Sequence, residues 1–218
     1  MNIFYYNDFP HYAWKKYIPV RDPIDNLSNI LTTIELIVNY PEKQVSNADN
    51  GFDIIVFTKD SHRFLVKSDC GYFSMTNPFQ VNLVGDNSIS FSLDPLEGPV
   101  DGKFISAMRN AIKTIQNKYY SHDDIVLSLS ETMHMDFPEA NQYTDTFVTL
   151  LSEDHGYFRF DDDPDHENKN IHPRYHFDVF FKNTNSIKIG YDQISDINCF
   201  LSLTDKNKPK KYLYNYKK

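Results

Sequence analysis

Two imidazoles, a guanidinium and a carboxylate occupy alternate positions in the run H-P-R-Y-H-F-D-V-F-F, from His172 to Phe181. His172, Arg174, His176 and Asp178 fall at even positions, and Tyr175, Phe177, Val179 and Phe181 at odd ones. Successive side chains of a strand point to opposite faces. The pattern therefore predicts one apolar face and one face bearing groups suited to acid–base, phosphate-binding or metal chemistry. Tyr157-Phe158-Arg159-Phe160-Asp161 repeats it, with Phe158 and Phe160 opposed to Arg159 and Asp161, and Ile187-Lys188-Ile189 repeats it again. Three neighbouring strands would pool Arg159, Asp161, His172, Arg174, His176, Asp178 and Lys188 on one sheet face.

Two chemistries fit those residue types. In the first, His176 and Asp178 share a strand face and Asp161 crosses over as a third ligand to one divalent ion such as Zn, Mn or Fe. The four-residue spacing of His172 and His176 also suits a helical zinc motif. Pro173 and the aromatic filling oppose a helix there, and the glutamate of H-E-x-x-H is absent. In the second, no metal takes part: one histidine accepts a proton from a ribose 2′-hydroxyl and the other donates one to the leaving oxygen. Arg159, Arg174 and Lys188 then hold the phosphate. The structural alternative is a solvated polar face whose cations pair across strands with Asp161 and Asp178. The acidic run from Asp161 to Glu167 lacks the spacing, glycine and terminal glutamate of an EF-hand loop and is expected to be a solvated hairpin loop. Cys70, His134 and Trp14 are expected to be structural, and no acyl-transfer or phosphate-loop motif is present.

The elements that must position these groups are those of an α+β fold, an antiparallel sheet of hairpins packed with several helices. Asp22 and Pro23 start a helix carrying Leu27, Ile30, Leu31, Ile34 and Val38, and Pro41 ends it. Residues 52–58 and 63–66 make one hairpin; 79–84 and 89–93 make a second, turning at Gly85-Asp86-Asn87. A helix from Asp101 presents Phe104, Met108, Ala111, Ile112, Ile115 and Tyr119 on one stripe. Residues 124–129 fit helix or strand, Thr144 to Glu153 a short helix, and Asp192 to Leu201 a final one. Residues 1–218 are expected to form a single domain of two lobes, with a seam near 95–100.

Hydrophobic content of 40% and aromatic content of 15% in 218 residues suit a packed core. Two separated cysteines fit a reducing cytoplasm, and neither a signal peptide nor a membrane span is visible. The net charge is −8, yet the basic tail 206–218 holds six lysines and no acid, which leaves the remainder at −14. Such a body repels nucleic acid over most of its surface, whereas lysines interleaved with Tyr212, Tyr214 and Tyr216 suit a single-stranded contact. A solubilising extension is the plainer reading of that tail.

The order F-R-F-D, then H-P-R-Y-H-F-D, then S-I-K-I-G resembles an uncharacterised group of prokaryotic proteins of about this size. Some of these are tied to toxin–antitoxin or phage-defence loci. The resemblance covers residues 155–201. The motif is also similar to the Asp…His-x-His sheet of small ribonuclease-like toxins, and the similarity implicates Arg159, Asp161, His172, His176 and Asp178. Two expectations follow: a nuclease acting on RNA through this sheet face, or a non-catalytic subunit whose acidic body docks a protein partner.

Overall fold

A computed structural model describes residues 3–47, 51–58, 61–85, 88–94, 96, 98–117, 121–153, 156–179, 188–205 and 208–209. Its frame is an eight-stranded, wholly antiparallel sheet, with six helices among the described residues and a separate two-stranded hairpin, an α+β architecture. Strands β1 (Ile3–Tyr6) and β2 (Gln44–Val45) form one end of the sheet, followed inward by β3 (Ile54–Phe57), β4 (Arg63–Ser68) and β5 (Gly71–Thr76). The chain then leaves the sheet for the hairpin β6 (Gln80–Val84) and β7 (Ser88–Ser92), and for three helices. It returns as β8 (Phe158–Asp162), β9 (Tyr175–Val179) and β10 (Lys188–Tyr191), with β8 paired to β5. The large sheet thus draws strands from both sides of the stretch near 95–100.

The helices follow their capping signals. Besides the four-residue α1 (His11–Trp14), α2 (Pro23–Asn39) begins where Asp22 accepts the Asp25 backbone N–H at 3.0 Å, and it stops two residues before Pro41. Leu27, Ile30, Leu31 and Ile34 are wholly buried, as their spacing predicts. Asp101 caps α3 (Gly102–Asn117) through the Phe104 N–H. The ambiguous stretch 124–129 is helical, in α4 (His122–Met133). Ser121 and Asp124 close a capping box there, and Ile125, Val126 and Leu129 fall on one buried face. The helix expected from Thr144 starts seven residues earlier, as α5 (Phe137–Ser152), because Asp136 caps it and Pro138 suits its first turn. The last helix, α6 (Ile197–Thr204), starts later than expected, with Asp196 as cap. His134 is no packing residue: exposed and left-handed at φ 55°, it ends α4.

The sheet separates two cores. On one face Ile54, Val56, Phe64, Val66, Phe73 and Met75 pack with apolar residues of α2, α3, α4 and α5. On the other, Ile55, Phe57, Leu65, Tyr72, Phe160 and Phe177 pack with Cys199 and Phe200 of α6. Both predicted hairpins form, with Ile54 opposite Val66 in the first and Val81 opposite Phe91 in the second. At the join of the sheet's halves sits Gly71, at φ 150°, whose backbone leaves no room for a side chain. A Cβ there would lie 2.0 Å from the Phe160 carbonyl oxygen.

Candidate functional site

Within β8, β9 and β10 the side chains take the two faces that alternation predicts. Arg159 stands opposite Asp178, which stands opposite Lys188; one step along, Asp161 stands opposite His176. Phe158, Phe160, Phe177 and Ile189 point to the α6 side, where Phe160 and Phe177 are buried. Phe181 and Ile187 lie outside the described residues.

What alternation does not predict is the burial of the polar face. His176 is 0% exposed, and the side chains of Asp161, Asp178 and Lys188 are 15–18% exposed, so the cross-strand ion pairs of the structural alternative form, but on a largely covered face. The cause is the segment leading into β9. Pro173 folds back over the face, and its carbonyl oxygen lies 2.7 Å from His176 Nδ1. The His172 ring meets the His176 ring edge-on at 4.8 Å. Gly190, the partner of His176 on β10, makes this possible, since a Cβ there would come within 2.9 Å of the Pro173 ring.

A carbonyl oxygen can only accept, so His176 Nδ1 carries the proton and Nε2 presents its lone pair. Nε2 faces Asp161 Oδ2 at 3.7 Å and Asp178 Oδ1 at 3.8 Å, and accepts from Lys188 Nζ at 2.7 Å. Lys188 also donates to both Asp178 oxygens, at 3.0 and 3.3 Å. Arg159 donates to Asp178 at 2.5 Å; its Nε lies 2.7 Å from Asp161, an ion pair without an aligned hydrogen bond. Two cations thus balance two carboxylates around a neutral imidazole.

The two carboxylates differ. Burial, with the Asp178 charge added, raises the Asp161 carboxyl above the usual range despite Arg159. Burial also acts to raise Asp178, but its hydrogen bond from Lys188 and the Arg159 charge outweigh that and hold it low. Tyr157 shares the face, and burial pushes its phenol up to about 12.

Of the residues expected to converge, Arg159, Asp161, His176, Asp178 and Lys188 do, and His172 adjoins them, its Nε2 3.1 Å from Asp163. Arg174 does not. It precedes β9, pairs with Asp162 on the opposite face at 2.7 Å and lies over the Tyr175 ring, so its expected place among the groups of this face is corrected. The acidic run is only partly a loop: Asp161 and Asp162 belong to β8, and Asp163 binds His166 and His172. Among the described residues, Asp161, His176 and Asp178 are the group whose ligand atoms gather within 4.8 Å of one another. Sequence reasoning missed Tyr157, whose parity with Arg159 places it on this face. It also missed Pro173 and Gly190, for which a glycine inside a strand was the available signal.

No protein-family model matches the chain, and neither the curated proteins nor the solved structures contain a match. No helix among the described residues is long and apolar enough to cross a membrane.

Proposed function

We propose that the chain is a metal-assisted nuclease-like protein acting on RNA, with Asp161, His176 and Asp178 as ligands. One observation carries this reading. The Pro173 carbonyl fixes the His176 tautomer so that Nε2 faces two carboxylates, the outer support characteristic of metal-bound histidines. Lys188 Nζ occupies the place among these atoms that suits a cation. A divalent ion bound there would polarise a phosphoryl oxygen and acidify a bound water. Arg159, 31% exposed at its side chain, supplies a guanidinium to a phosphate oxygen. His172, whose Nε2 lies 3.1 Å from Asp163 and whose ring adjoins that of His176, would pass a proton to a leaving oxygen. The choice of RNA and of a toxin–antitoxin or defence setting rests on the resemblance of residues 155–201. The basic tail, which except for Lys208 and Pro209 lies outside the described residues, would add a non-specific contact.

The test is cleavage of labelled RNA and DNA by purified protein with Mn²⁺, Mg²⁺ or Zn²⁺ and with chelator, alongside ion binding and thermal melts. The expected result is chelator-sensitive RNA cleavage that falls about 100-fold or more in His176→Asn. Cleavage indifferent to chelator would select the two-histidine chemistry instead.

A second reading has its own observation: Arg159 and Lys188 already neutralise both carboxylates, as in a structural ion network. On that reading the chain is a non-catalytic subunit whose acidic body docks a basic partner. The absence of both cleavage and ion binding, with a basic protein co-purifying, would establish it.

A further inference from the structure

A cleft of about 220 Å³ lies on the same sheet face as the charged cluster, at the β4–β5 turn. Trp14, Tyr17 and Phe73 form an aromatic wall. Trp14 and Tyr17 stack with centroids 5.9 Å apart, and Tyr17 meets Phe73 edge-on at 5.3 Å. The polar rim comes from the β4 end and its turn, with Ser68, the exposed Asp69 and Lys67, and from Asp53. One Asp53 oxygen is held by the Phe9 N–H at 2.9 Å, which fixes the carboxylate. The volume is below the range of drug-sized pockets and suits a single ring system. Aromatic rings select a flat partner, and carboxylates select an edge that donates hydrogen bonds, such as the amino and imino groups of a nucleobase.

The cleft is also tied to the cluster by register. Phe73 stands directly opposite Arg159, and Arg159 opposite Asp178, so the aromatic wall and the guanidinium stand on neighbouring strands, whose backbones lie about 4.8 Å apart. Gly71, opposite Asp161, places no side chain between Ser68 and that carboxylate. We infer that this cleft is a nucleobase-binding subsite, filled by a base with an amino-bearing edge whose phosphate extends across β8 to Arg159. As a substrate subsite it rests on the nuclease reading; as a base-binding cleft it stands without it.

Trp14 is the one tryptophan of the chain, so its fluorescence reports the cleft directly and needs no cleavage. The full-length protein is titrated with GMP, CMP, AMP and UMP, with guanosine, with ribose 5-phosphate and with a short single-stranded RNA. Saturable quenching by GMP and CMP is expected, weaker with UMP and absent with ribose 5-phosphate. Asp69→Asn is expected to weaken GMP binding about 10-fold while leaving the melting temperature unchanged. Arg159→Gln is expected to weaken GMP but not guanosine. Quenching by the oligonucleotide alone would identify the source as a nucleic-acid chain, and quenching by both oligonucleotide and mononucleotide would include free nucleotides. Absence of saturable quenching with every base-bearing probe, or equal quenching by ribose 5-phosphate, overturns the proposal. A protein that quenches but never cleaves keeps the cleft and loses the nuclease.

Discussion

One row of cross-strand neighbours runs through seven strands of the sheet: Tyr6, Ile54, Val66, Phe73, Arg159, Asp178 and Lys188. The first four belong to the core beneath the helices; the last three form the ion cluster. Backbone pairing is the same on both sides of the β5–β8 junction, and the side chains alone change character. In the first half, burial is achieved with apolar surface, which needs no partner geometry. In the second, it is achieved with charges that must be matched atom by atom. The polar half is therefore the one where a single missing group changes what the remaining groups can hold.

The contrast can be broken or sharpened by substitution. Phe64→Ala, in the apolar half and wholly buried, is expected to lower unfolding stability by about 3–5 kcal/mol in urea titration. Asp178→Ala strips Lys188 and Arg159 of a shared partner. Its cost should be about 1–3 kcal/mol, below that of the core truncation because the pair keeps some water contact. Combining Asp178→Leu with Lys188→Met should recover most of that loss, since an apolar pair leaves no charge unmatched. If the double variant is instead the worse of the two, the cluster stabilises the fold beyond charge balance and the contrast weakens.

Lys188→Met alone removes the tethered ammonium while keeping His176 Nε2 and both carboxylates. Calorimetry with Mn²⁺ or Zn²⁺ should show about tenfold tighter binding than wild type, near 1.4 kcal/mol. Unchanged or weaker binding would mean that the three ligands do not form a cation site. The smallest expected effect lies on the helical side, at Glu35, which Arg109 grips at 2.8 and 3.1 Å and Lys16 at 3.1 Å. Burial acts to raise the Glu35 carboxyl, but these bonds outweigh it and hold it below the ordinary 4.5. A carboxyl lowered in the folded state contributes stability that is present above its unfolded value and lost as pH falls through the folded one. Glu35→Gln should therefore cost about 0.5–1 kcal/mol at pH 7, and less as the pH drops below the ordinary value.

Much of this fold was legible because its signals are local. Asp22 with Pro23, the turn at Gly85, and the alternation from Tyr175 to Val179 each act within a few residues. The α5 start lies seven residues before the expected one because the cap at Asp136, rather than the apolar pattern, sets where the helix begins. The site residues were legible by type, and their shared face by parity. Three things were not: that Pro173 would cover His176, that Arg174 would turn to Asp162, and that β5 would lie next to β8. The β5–β8 pairing joins residues more than eighty positions apart, and no periodicity encodes which strands become neighbours. Arg174 deviates because parity governs only residues inside a strand, and β9 begins one residue later.

Among the described residues the sheet ends on very short strands, two residues in β2 and four in β10. An unpaired rim of backbone amides and carbonyls is a template on which another chain can add, and brevity is one defence against that. On β10 a second defence is present, because Lys188 turns its charge inward over the sheet, where an incoming strand would have to bury it. The lysine that balances Asp178 thus also guards the β10 end of the sheet as the described residues form it. Any variant that frees the cluster by removing it gives an aggregating neighbour a better foothold, and light scattering of concentrated Lys188→Met would register that exchange.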